Sequence, residues 1–382
     1  MKKLSKELIQ LDIKEFQEKL EKIHPNPYRC ISRNDFKNLL YKNIEDIDTV
    51  KELGLNIMSV LAKLNDGHTY LEPSIDVLGK KNFIFGFRYF SNGYYLINSS
   101  KSLSNHLGHR LVGIEGFTVK DVEQKVKEFI PQENETSIHY YFSSIIREPF
   151  LLEYLGIKSE EYITLHFKRD KKKISVKVNP EDYICKSVFL KDMVRDGDIT
   201  LQERESYWYT CFEDLNAFYF QYNDCAQRDD LKISEIVRSI KDGNFQNIII
   251  DLRNNRGGDS DVLNPLVRFL KESKGIFKVF VLVGIDTYSS GIINLLELCT
   301  IDDVVSIGEI PHGNPTHYGE VVSFVLSNSK LKVFLSSKIF RFKGYRLGES
   351  FKPTFVVNTE IQDILNGRDI QMEFVRESIL LS

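Results

Sequence analysis

The sequence predicts a multi-domain α/β protein, on three observations. The chain has 382 residues, past the size at which single cores stop growing, so two or three domains are expected. Its C-terminal half alternates short apolar runs with amphipathic stretches, the mark of a mainly parallel strand-and-helix layer. Its first 75 or so residues space apolar side chains as helices do, and the stretch between the two reads as a small α+β module. The expected boundaries are 1–78 for the helical region, 79–182 for the module and 183–382 for the α/β core.

Taken in order, Leu8, Leu11, Ile13, Phe16, Leu20 and Ile23 recur at helical spacing. His24-Pro25-Asn26-Pro27-Tyr28 ends that helix, because each proline disfavours helical backbone in the residue before it. Further helices are expected over 33–41 and about 49–64. Asn65-Asp66-Gly67 stops the last of these, and His68-Thr69-Tyr70 follows directly. In the module, 83–90 and 94–97 read as strands about the turn Ser91-Asn92-Gly93. A short strand with a tight turn follows at 110–117, then a helix at 119–129. A hairpin pairs 162–167 with 174–178, and the charged run Lys168-Arg169-Asp170-Lys171-Lys172-Lys173 is its solvated turn. In the core, strands are expected over 217–222, 247–252, 276–283 and 304–307, and helices over 230–241, 262–272 and 290–298. The 247–252 run is continuously apolar, as a strand buried on both faces should be.

Composition narrows the function classes. Hydrophobic residues make up 42% and charged residues 27%, a globular balance. The net charge of -3 leaves no basic footprint for a nucleic-acid partner. No stretch approaches the roughly 20 apolar residues of a membrane span. The N-terminus Met1-Lys2-Lys3-Leu4-Ser5-Lys6 leads into more charge rather than an apolar core, so no signal peptide is read and a cytoplasmic location is expected. The five cysteines, Cys30, Cys185, Cys211, Cys225 and Cys299, are odd in number and widely spaced. They point to neither a zinc site nor a disulfide framework, and reduced, mostly buried thiols are the expectation.

Ligands of open α/β layers bind at the carboxyl ends of strands. Three such ends stand out. Asp251-Leu252-Arg253-Asn254-Asn255-Arg256-Gly257-Gly258 places paired glycines after a buried strand, which permits a sharp turn with exposed amides. Asp286-Thr287-Tyr288-Ser289-Ser290-Gly291 puts a serine at a helix entrance. A serine there is usually an N-cap, but a nucleophile in that place gains from the helix N-terminus. Gly308-Glu309-Ile310-Pro311-His312-Gly313-Asn314-Pro315-Thr316-His317-Tyr318-Gly319-Glu320 reads as a polar surface loop with two histidines and two glutamates.

In this order the three segments resemble the tail-specific, or C-terminal-processing, serine peptidases, a family that includes the tricorn core protease and interphotoreceptor retinoid-binding protein. The likeness is strong over 245–320 and weak over 80–180. It implies a ClpP/crotonase-like catalytic core, a PDZ-like middle module and acyl transfer from Ser289 to water. The oxyanion would rest on the amides of Ser290 and of Gly258 or Gly257. Many members place a lysine base in the glycine loop after the Gly-Glu element, where this sequence has Asn314. The tricorn branch instead draws a histidine from an N-terminal helical region, a role that falls on His68 within Asp66-Gly67-His68-Thr69-Tyr70. His317 and His312 compete for it. Glu349 is the expected orienting acid, with Glu320 as its competitor.

The resemblance implies no metal and no cofactor. It implies a peptide or protein substrate and leaves a homo-oligomer open. Two rival readings share the fold: a catalytically silent ligand- or peptide-binding protein, and a crotonase-type acyl-CoA enzyme. The latter wants a basic site for the coenzyme's phosphates, and no clear one accompanies these loops.

Overall fold

The computed structural model describes residues 2–42, 44–72, 74, 77, 79–158, 161–182, 187–190 and 205–381. The chain forms two compact units, one drawn from 1–193 with 318–340 and the other from 194–317 with 341–382. The segments expected separately at 1–78 and 79–182 share one hydrophobic cluster, and a hairpin from the C-terminal third joins them.

In the first unit three helices open the chain: Lys6–Ile23, Arg33–Tyr41 and Val50–Ala62. Each starts where an oxygen-bearing side chain can take an otherwise unpaired helix N–H. Ser5 accepts from the Leu8 N–H at 3.4 Å, Ser32 accepts from Asp35, and Thr49 forms a reciprocal capping box with Glu52. Ile9, Ile13, Phe16 and Leu20 face the core from the first helix, as their spacing requires. The module is a seven-stranded antiparallel sheet. Its main path runs Val188–Phe189, Gly93–Ser99, Arg110–Ile114, Ile163–Arg169 and Lys172–Val178. The charged run is a hairpin turn, as expected, with Asp170 at φ +53°. Two helices that the sequence pattern does not predict, Ser137–Ile146 and Pro149–Tyr154, pack their apolar sides into the same cluster.

The C-terminal hairpin of this unit pairs His317–Val325 with Lys332–Phe340, and Tyr70–Leu71 adds on antiparallel beside Lys332–Phe340. The buried Asp12 caps the tip of this hairpin. One of its oxygens accepts from the Asn328 N–H and Nδ2 at 2.9 and 2.8 Å, and the other accepts from the Ser329 N–H at 2.7 Å.

The second unit is built on a six-stranded sheet. Tyr207–Phe212 pairs antiparallel with Ala217–Tyr222, and Asn247–Asp251, Lys278–Val283, Val304–Gly308 and Phe355–Val356 continue it in parallel. Alternate residues serve opposite faces. Phe218, Phe220, Ile248, Ile250, Val279 and Val281 meet the helices Ile233–Asp242, Asn264–Glu272 and Ser290–Leu298. Tyr219, Ile249, Phe280 and Leu282 meet Met372 and Val375 of Ile370–Leu380. This is the layered α/β core the strand-helix alternation predicts.

No helix among the described residues is long and apolar enough to cross a membrane. The thiols differ in part from expectation: Cys225 is buried, but Cys30 and Cys211 are exposed, and Cys185 lies outside the described residues.

Candidate active site

The three segments singled out in the sequence all leave carboxyl ends of parallel strands in the second unit. Ser289 closes the loop after Lys278–Val283 and stands at the entrance of Ser290–Leu298, but its side chain does not cap the helix. Its backbone sits at φ +50° and ψ -124°, a region almost confined to glycine. A serine on a strained strand-to-helix turn projects its hydroxyl out of the layer, as nucleophile elbows do.

Neighbouring bonds hold this turn. The Tyr288 N–H donates to the Asn255 carbonyl at 2.8 Å. Thr287 Oγ1 donates to the Leu252 carbonyl at 2.8 Å and accepts from the Gly284 N–H at 3.1 Å.

The paired glycines lie against it. Gly257 has φ +103°, and a Cβ there would stand 2.8 Å from Ser289 Cβ and 3.0 Å from the Ser290 nitrogen. Only glycine allows so close an approach. The Gly257 N–H donates to Asn255 Oδ1 at 2.9 Å. That amide is committed, so of the two glycines the sequence left open as oxyanion donors the geometry favours Gly258. The Gly258 N–H donates to no described residue. The Ser290 N–H opens its helix and has no acceptor within it. Ser290 Oγ donates to the Gly258 carbonyl at 2.6 Å, tying the glycine loop to the helix entrance.

Sequence reasoning missed the residues that brace this loop. Asn255 is fully buried and donates Nδ2 to the Tyr222 carbonyl at 2.9 Å. The Cys225 N–H donates to the Gly257 carbonyl at 2.8 Å, and its thiol, pushed up to about 12 by burial, faces Asn255 Oδ1 and Asn294 Oδ1 at 3.4 Å each. Asn255 lies inside the 251–258 glycine motif. Cys225 and Asn294 carry no sequence signal for this role.

The third segment departs from the surface loop expected. His312, Asn314 and His317 are buried. His312 donates Nδ1–H to the Ile285 carbonyl at 2.6 Å and stacks on Tyr288 at 4.4 Å between ring centroids. Burial pulls its pKa down to about 4. His317 donates Nδ1–H to the Asn314 carbonyl at 2.8 Å. Glu349 is exposed and accepts from the Arg346 N–H at 3.0 Å within a local turn. Glu320 belongs to the first unit, exposed at φ +56°, and its carbonyl accepts from Ser337 Oγ.

His68 also lies in the first unit, with a side chain 11% exposed. It follows the turn at Asn65, whose φ is +51°. Its N–H donates to Asp66 Oδ1 at 3.0 Å, and its Nδ1 stands 4.0 Å from the same oxygen. Asp66 is wholly buried, and its other oxygen faces His24 Nε2 at 3.2 Å. Burial alone would raise the Asp66 carboxyl; the His24 hydrogen bond and the His68 ring outweigh it and hold the group below the usual carboxylate range. Glu133, also buried, brings a carboxylate oxygen within 4.8 Å of donor atoms of both Asp66 and His68. These are also donor types that a divalent cation takes. Sequence reasoning singled out His68 but took Asp66 only as part of a helix stop, and it did not find Glu133.

Comparison with solved structures returns chains of the same fold. Mature CPAF matches with a TM-score of 0.67 at 11% identity over 97% of each chain. Mature CPAF complexed with lactacystin matches at 0.65 and 12% over 98% of each. A putative peptidase from Parabacteroides merdae matches at 0.51 and 12% over 97% of this chain and 96% of the other. Identities this low speak for the fold, which is the mixed α/β fold the resemblance implied. No protein-family model matches the sequence, and no curated protein does.

Proposed function

We propose that the chain is a serine-type peptidase that hydrolyses peptide bonds through an acyl-enzyme on Ser289. The observation that carries this reading is the strained turn at Ser289, with Gly257 packed against it and the amides of Gly258 and Ser290 beside it. A nucleophile and two donors are what acyl transfer needs: one forms the tetrahedral adduct, the others stabilise its oxyanion. Removing one such donor from comparable sites costs about 3 to 4 kcal/mol of barrier.

A serine hydroxyl needs a base. That role goes to His68, on the sequence resemblance and on the carboxylate beside its ring. His312 suits it less, because burial holds its ring well below the usual histidine range and makes it a weaker base, and His317 stays a competitor. In the proposed cycle Ser289 attacks the carbonyl carbon as its proton passes to His68. The protonated base then releases the amine, and water resolves the ester. Glu349 and Glu320 stay candidates for orienting the base. The ClpP/crotonase-like core, the PDZ-like module, the three-segment division and the cytoplasmic setting belong to the same proposal.

A fluorophosphonate probe tests it. Wild-type protein is expected to be labelled at Ser289, and Ser289→Ala to lose labelling while keeping its thermal unfolding midpoint. Lactacystin, found complexed with mature CPAF, is a second ligand to try. Labelling that persists in Ser289→Ala would place the nucleophile elsewhere.

A further inference from the structure

We propose that Asp66, buttressed by His24, is the positioning residue of His68, a part the sequence resemblance gave to Glu349 or Glu320. The inference rests on His68 as the base. It stands on how three side chains of the first unit are locked together.

The tautomer of His24 is fixed by its surroundings. The Asn26 N–H donates to His24 Nδ1 at 3.1 Å, so Nδ1 is an acceptor. In the neutral ring the proton is therefore on Nε2, which faces Asp66 Oδ2 at 3.2 Å and donates to it. His24 is itself buried and lies against Tyr318, with ring centroids 4.7 Å apart. Asp66 Oδ2 is thereby held, which leaves Oδ1 aimed at the next turn. There it accepts from the His68 N–H at 3.0 Å, and the Thr69 N–H closes the turn on the Asp66 carbonyl at 3.2 Å. The His68 ring follows from that backbone, with Nδ1 4.0 Å from the same oxygen.

A carboxylate at this place does two things. It fixes where the ring leaves the chain, and its charge favours the imidazolium that forms when the base accepts a proton. Among the described residues, Asp66 and Glu133 bring carboxylates close to the His68 ring, with His24 behind Asp66. Glu133 reaches this place because the Gln132 N–H donates to Asn65 Oδ1 at 2.9 Å, tying its loop to the start of the Asp66 turn.

Two readouts test the idea, one independent of catalysis. The first is the titration of the His68 ring by NMR, assigned with His68→Gln. In Asp66→Asn the ring is expected to titrate at lower pH than in the wild type. The second is the rate of fluorophosphonate labelling across pH, expected to fall at least about tenfold at pH 7 in Asp66→Asn, with its acid limb moved down.

A milder pair guards against misfolding. His24→Asn keeps an acceptor for the Asn26 N–H but loses the donor to Asp66, and it should slow labelling. His24→Gln restores a donor at that reach and should recover the rate. A His68 ring that titrates alike in the wild type and Asp66→Asn overturns the proposal whatever the labelling does. A shifted titration in a protein that no probe labels leaves the positioning standing and sinks the peptidase reading instead.

Discussion

Replacing Gly257 with alanine is the sharpest test of how Ser289, the proposed nucleophile, is held. Two costs separate. Backbone at φ +103° disfavours any L side chain, by about 1–2 kcal/mol. The new Cβ would also stand 2.8 Å from Ser289 Cβ, where ordinary contact begins at 3.4 Å, and 3.0 Å from the Ser290 nitrogen. Something must give by about 0.6 Å, and what gives is Ser289, the proposed nucleophile, or the Ser290 amide, a proposed oxyanion donor. A misplacement near 1 Å costs about a hundredfold in rate, so ten- to a hundredfold slower labelling is expected. That corresponds to roughly 1.4–2.7 kcal/mol of barrier.

The control is Gly275→Ala. That glycine also has positive φ, at +76°, but nothing lies within 4 Å of its would-be Cβ. It should lose about 1–2 kcal/mol in urea denaturation and label at the wild-type rate. Second-order rate constants with a fluorophosphonate, measured on protein shown to be folded, decide the matter. Gly257→Ala labelling as fast as Gly275→Ala would refute the claim that this glycine is needed for the approach to Ser289.

Other expectations concern stability and pH. His312 is buried with its pKa drawn down to about 4, against about 6.5 when unfolded. The unfolded chain then binds a proton that the folded one refuses between those values. Stability is whole above pH 6.5 and falls by up to about 3 kcal/mol as pH drops towards 4. Urea midpoints at pH 7.5 and 5 should therefore differ less in His312→Gln than in the wild type; equal differences would exclude His312 as the source. Asp12→Ala leaves three donors of the 326–331 turn without their acceptor in a buried place. It should lose about 2–4 kcal/mol by chemical denaturation, and a loss under 1 kcal/mol would show that the turn finds other partners.

The second unit was legible because its signals are local. Ile248, Ile249 and Ile250 form an unbroken apolar strand, and glycines or a serine at the strand exits mark the turns. The first unit was harder. The strand His317–Val325 buries its first three residues and exposes Val321, Val322 and Val325, so it lacks the alternation that marks a half-buried strand and reads as the tail of a polar loop. Ser137–Ile146 starts at Thr136 without a side-chain cap and is rich in aromatic and β-branched residues, which hides a helix. In the second unit Ser289 and the glycines carry a motif, and in the first unit Asp66 lies inside one. Glu133 could not be read at all, because a side-chain bond from Asn65 ties its loop to the Asp66 turn across 67 residues of chain.

The hairpin 317–340 also bears on the order in which the protein can be built. The strand that follows His68 pairs with Lys332–Phe340, and the Ser336 N–H donates to Thr69 Oγ1 at 3.0 Å. A ribosome has passed residue 289 long before it reaches 340. The turn that carries His68 therefore cannot gain its strand partner until Ser289 has already been synthesised, and a nascent or truncated chain ending near residue 193 would carry the histidine without the strand that anchors it. Synthesis itself thus leaves the strand after His68 unpaired until Ser289 is already in the chain.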